Sequence, residues 1–86
     1  MAVTVLLPSL LAEQAGGQKE FELEAPTVGA ALRALPVRDL LFDERDELRP
    51  LVNVYVDGTD TRDGGGLEAE LEGGETIRVV AAIAGG

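Results

Sequence analysis

Eighty-six residues make one domain, and a chain this short buries a little over ~60% of its unfolded surface, enough for a single modest core. Sixteen acidic residues against seven basic ones give a formal charge of −9, so nucleic acid and membrane surfaces are not expected partners and a basic or apolar docking surface is. The chain has no cysteine and no histidine, which removes disulfides, thiolate metal sites and Ser–His or Cys–His nucleophile pairs, so neither a self-contained hydrolase nor a bound metal is expected.

Apolar residues are 45% of the chain, yet only Phe21, Phe42 and Tyr55 are aromatic, so the core is expected to be aliphatic. The first segment, "MAVTVLLPSLLAEQAGG", lacks the basic start of a signal peptide, and no stretch approaches the ~20 apolar residues of a membrane span. A cytoplasmic protein is the expectation.

Val3, Val5 and Leu7 alternate with Ala2, Thr4 and Leu6, which predicts an opening strand ended by Pro8. Gly16 and Gly17 read as a turn, and "KEFELEA" alternates again, with Phe21, Leu23 and Ala25 inward and Glu20, Glu22 and Glu24 outward. The two strands read as a hairpin with a long turn. Thr27 is a candidate helix N-cap, followed by Val28, Ala31, Leu32 and Leu35 on one helical face, and Pro36 stops the helix.

Leu40, Leu41 and Leu48 fit a short second helix, with the acidic run 43–47 turned to solvent. Val52, Val54 and Val56 alternate with Asn53, Tyr55 and Asp57 as a third strand, and "DGTD" carries the Asp-Gly turn signal. Asp57, Asp60 and Asp63 lack the spacing and closing Glu of a calcium loop and are read as turn residues. The glycines at 64–66 and 73–74 have no following Lys-Ser/Thr and are turns, not a phosphate cradle. Leu67 and Leu71 are placed over one edge of the core, and Ile77, Val79, Ala81 and Ile83 alternate as a last strand. The order strand, strand, helix, strand, strand describes an α+β domain of the β-grasp type, a mixed sheet of four to five strands with one main helix packed on one face.

These segments, with "TVGAALRAL" as the helix, "NVYVDGTDTR" as strand and turn, "GGLEAELEGGETIRVV" leading to the last strand, and "GG" at positions 85–86, resemble the ubiquitin-like sulfur carriers of the MoaD/ThiS family over the whole length. "AGGQKEF", "LVNVYVDGTDTR" and "AIAGG" are most similar to the carriers of a cysteine-biosynthesis route within it. Many relatives carry a proline shortly before the tail, where this chain has Ala81.

The resemblance implies a protein co-substrate, not an enzyme, that is a monomer when free and binds no cofactor. A MoeB/ThiF-like adenylating enzyme would use ATP to activate the Gly86 carboxylate, and a sulfur donor would convert it to a thiocarboxylate. A sulfur-accepting enzyme such as a cysteine synthase would then receive the sulfur. Synthesis of molybdopterin, thiazole or sulfur-containing secondary metabolites remains open, as do conjugation to protein lysines and a plain β-grasp interaction domain. Residues 82–86 are expected to form a flexible tail: Ala82, Ile83, Ala84 and Gly85 would thread a partner's active site, the five residues spanning at most ~16–18 Å. Tyr55 and Val80 are the candidate docking residues on the sheet face away from the helix.

Overall fold

The four longer strands each have one apolar side, and burying it is what assembles the sheet. The fold was obtained as a computed structural model that describes residues 2–81. Strands β1 (Val3–Leu6), β2 (Glu20–Leu23), β3 (Val52–Val56), β4 (Thr59–Asp60) and β5 (Thr76–Ala81) form one sheet in the order β2-β1-β5-β3-β4. The first and last strands run parallel at its centre, with Thr4 opposite Thr76 and Leu6 opposite Arg78, and the other pairings are antiparallel.

Register puts Phe21, Val5, Ile77 and Val56 in one row, beside the pairs Val54–Val79 and Val52–Ala81. Helix α2 (Val28–Arg33) is the main helix, and its Val28, Ala31 and Leu32 are buried in the same core as these rows. Thr27 Oγ1 accepts the Ala30 N–H at 3.2 Å, so the predicted cap is present. Gly29 lies so close to the following chain that an added Cβ would sit 3.1 Å from the Leu67 carbonyl oxygen. The core is aliphatic as expected, Phe42 being the one aromatic ring fully inside it among the described residues. Leu67 and Leu71 are half-buried against it, in keeping with their spacing.

Two connections differ from the sequence reading. Between β1 and β2 lies a short helix, α1 (Ser9–Gln14), where the glycines predict only a turn. Leu11 and Ala12 anchor it in the core, and the Gly17 N–H bonds the Ala12 carbonyl at 2.7 Å, so Gly16 and Gly17, both at positive φ, end a helix before they turn the chain. The second predicted helix shrinks to α3 (Arg38–Leu41), with Leu41 buried, Leu40 exposed, and Leu48 paired instead with Phe42 in an isolated bridge. Asp43 Oδ1 takes the N–H groups of both Arg45 and Glu47, folding the acidic run into a loop that no helix can continue through.

The Asp57–Gly58 turn behaves as its sequence dictates. Both residues have positive φ, 49° and 88°, the signature of a two-residue turn whose twist matches the strands it joins, here β3 and β4. The last strand is entered through another turn, built around Glu75. Its carboxylate accepts the N–H groups of Glu72 at 2.8 Å and Gly73 at 2.7 Å.

Candidate docking face and the tail

Helix α2 covers one side of the sheet and leaves the other open. Because side chains alternate, the residues between the core positions all emerge there: Thr4 and Leu6 from β1, Thr76, Arg78 and Val80 from β5, Asn53 and Tyr55 from β3. Cross-strand register makes Leu6, Arg78 and Tyr55 one continuous row, with Glu20 beyond Leu6 and Asp60 beyond Tyr55 at its ends. Val80 is 39% exposed, one of the few large apolar side chains open to solvent, and Tyr55 is half-buried.

Tyr55 and Val80 therefore share a surface, which the register between β3 and β5 decides. They line a shallow depression of about 470 Å³ together with Asp57, Gly58, Thr76 and Arg78. A second hollow, about 190 Å³, lies on the β1 side of Arg78 and is lined by Leu6, Pro8, Arg78, Val80 and Ala81 among others. Arg78 thus stands between two apolar hollows.

On the β3–β4 side of Arg78 the charges of Asp57, Asp60 and Arg62 are already engaged. Asp60 accepts the Arg62 side chain through both oxygens, and its Oδ1 also takes the Arg62 backbone N–H, so hydrogen bonding to Arg62 holds this carboxyl below its usual range. The same pair raises the Arg62 guanidinium further, and Arg62 also donates to Asn53 Oδ1 at 2.9 Å. Asp57 Oδ1 accepts the Thr76 N–H at 3.0 Å, tying the turn after β3 to the start of β5. Asp57 sits in a turn as read, whereas Asp60 ends β4 and caps the one-turn 3₁₀ helix that contains Asp63, and the described residues contain no His/Cys/Asp/Glu group suited to a metal. Among those residues, too, no helix is long and apolar enough to cross a membrane.

Ala82, Ile83, Ala84, Gly85 and Gly86, the predicted reactive tail, lie outside the described residues. What the structure fixes is the strand before them: β5 is held on both sides, by β1 and by β3, up to Ala81. Sequence reasoning misses Arg78 and Leu6 as members of the open face. Their strand parity is present in the alternation, but only the register places them beside Tyr55.

A sequence profile of the ThiS family matches residues 5–86. The chain belongs to the ThiS family. It is 33% identical to the sulfur carrier protein CysO of Mycobacterium tuberculosis, with both chains fully covered. The crystal structure of that CysO superimposes with a TM-score of 0.84 at 31% identity, over 94% of this chain and 99% of the other. A chain in the crystal structure of the Amycolatopsis orientalis BexX/CysO complex matches with a TM-score of 0.82 at 35% identity, over 99% and 100% of the two chains. The small archaeal modifier protein 1 of Methanosarcina acetivorans matches with a TM-score of 0.82 at 28% identity, over 99% and 96%. The β-grasp, ubiquitin-like fold expected from the element order is the fold of this ThiS-family chain.

Proposed function

We propose that the chain is a sulfur carrier whose reactive group is the carboxylate of Gly86. The observation that carries this reading is the match to the ThiS family, which runs through the Gly85–Gly86 pair, separated in the sequence by three residues from the end of β5 at Ala81. Full-length similarity to CysO supports it and favours cysteine biosynthesis as the destination of the sulfur.

A carboxylate is a poor electrophile, because its leaving group would be oxide. In the proposed sequence a MoeB/ThiF-like enzyme lets a Gly86 carboxylate oxygen attack the α-phosphate of ATP, releasing pyrophosphate and forming an acyl-adenylate. Sulfide (HS−) released by the donor then attacks the acyl carbon, AMP departs, and loss of the S–H proton leaves a thiocarboxylate. That sulfur next serves as the nucleophile in a sulfur-accepting synthase. The carrier contributes no catalytic side chain; it contributes a docking body and a narrow end. Gly85 and Gly86 lack Cβ, so the backbone can approach nucleotide and enzyme walls closely. Tyr55 and Val80 are the proposed contacts on the body.

The test is incubation of the chain with the cognate adenylating enzyme, ATP and sulfide, followed by intact-mass analysis. One sulfur-for-oxygen exchange is expected, and it should vanish when Gly86 is deleted or one residue is appended after it. Exchange that survives either change would sink the mechanism. The similarity to a small archaeal modifier protein favours one second reading, attachment of Gly86 to lysines of other proteins. Isopeptide-linked adducts of the chain, isolated from its native cell, would identify that role.

A further inference from the structure

Six arginines divide sharply by what their side chains do. Arg33 and Arg38 both reach Asp46, Arg49 donates to the Asp39 carbonyl, and Arg62 holds Asp60 and Asn53. Arg78 is exposed, and its guanidinium has no hydrogen-bond or ion-pair partner among the described residues. Arg45 is likewise unengaged through its side chain, but it sits within the acidic run 43–47. Arg78 instead sits in the middle of the open face, in a row between Leu6 and Tyr55, with Val80 two residues along its own strand.

Two of the acidic groups nearest this spot are spoken for, and the third stands one strand away. Asp57 is turned to the Thr76 N–H, Asp60 is held by Arg62, and Glu20 lies beyond Leu6 on the neighbouring strand. On a chain of charge −9, a cation with no partner among the described residues, lining two mainly apolar hollows, is out of keeping with its surroundings; Arg62, at the edge of the same face, is held by Asp60 and Asn53.

The geometry points to a specific partner feature: the adenylating enzyme presents a carboxylate to Arg78, set between two apolar side chains that fill the hollows on either side. The inference rests on the sulfur-carrier reading and names how the activating partner recognises this chain. Arginine stays ionised at any working pH, so an apolar surface closing over it without a counter-charge would bury an unpaired guanidinium, which is strongly unfavourable. A carboxylate satisfies it bidentately and fixes the register of the two surfaces. A cation at the same place on a wrong partner is repelled, so Arg78 sorts partners as well as holding one. Arg78 is a specificity residue, eight positions before Gly86 in the sequence.

The experiment is ATP–pyrophosphate exchange by the adenylating enzyme from the same organism, with the carrier as the varied substrate. Arg78→Glu should raise KM for the carrier by about tenfold or more with kcat little changed, because the contact is made before chemistry. Arg78→Ala should fall between this variant and the wild type, and its KM should depend less steeply on salt. Arg45→Glu carries the same change of net charge away from the open face and should behave as wild type. Reversing the matching acidic residue of the enzyme to lysine should restore exchange with Arg78→Glu.

Equal KM values for Arg78→Glu and Arg45→Glu would overturn the inference while leaving the carrier reading intact. So would an Arg78→Ala loss that Arg78→Glu does not exceed, since that outcome assigns Arg78 to a neutral acceptor. A wild-type chain that the enzyme does not adenylate at all removes the carrier reading, and this inference with it. Arg78 is exposed on a strand, and matching thermal unfolding of all variants separates these outcomes from misfolding.

Discussion

The two faces of the sheet are built from the same strands and differ only in residue parity, yet they obey different rules. On the helix side, Val3, Val5, Val54, Ile77 and Val79 are all at most 1% exposed, and shape complementarity governs what can stand there. On the open side, Leu6, Tyr55, Arg78 and Val80 mix apolar area with one charge, and helix α2 does not cover them. A strand thus carries two messages on alternate residues, one read by its own helix and one available to another protein. Stability and recognition can vary separately in such an arrangement.

The sharpest way to break the comparison is to exchange the effects of neighbours on β5. Ile77→Ala should lower unfolding free energy by about 2–5 kcal/mol in urea titration, because the site is fully enclosed and the cavity cannot collapse. Its neighbour on the other face should not follow. Val80→Ala should change stability by no more than roughly 0.5 kcal/mol, while raising KM in the adenylation assay. If Val80→Ala destabilised the fold as much as Ile77→Ala, the division of labour would be wrong.

A smaller test lies in the helix that closes the covered face. Thr27→Ala removes the side-chain acceptor of the Ala30 N–H and should cost about 1 kcal/mol, seen as an unfolding midpoint shift with unchanged slope. It should leave recognition at the open face untouched. The smallest expected effect is at the turn that feeds β5. The N–H of Glu72, and more weakly that of Gly73, hold the Glu75 carboxyl below its ordinary value of 4.5 despite an opposing desolvation effect. A depressed folded value adds stability above the unfolded value, and that stability is lost as pH falls through the folded one. Glu75→Gln should therefore be slightly less stable than wild type near neutrality, with the gap in Tm closing as pH drops below 4.5.

Much of this architecture is legible in the amino-acid order, and the places where that reading fails have physical causes. Strand parity in "VTVL", "VNVYV" and "TIRVV" is clear because one side of each strand is buried and the other is not. Thr27, Asp57 and Gly58 announce their roles because caps and tight turns depend on the chemistry of one or two residues. Helix α1 is hidden because six residues are too few to form a helix unaided, and no side chain caps its start at Pro8. The burial of Leu11 and Ala12 is what anchors it, and burial is a property of the whole fold. The surroundings of Arg78 are hidden for a related reason: they depend on which residue of β1 and β3 lies opposite, and alternation alone leaves register undetermined.

Placing β5 between β1 and β3 has a further consequence. The strand that adjoins the proposed reactive tail is the keystone of the sheet, joining two halves that otherwise share no strand pairing. A copy cleaved before Thr76 loses that joint and cannot close its core. Any partner that recognises the finished sheet is therefore inspecting the chain for wholeness up to Ala81, and a damaged copy disqualifies itself before it is bound.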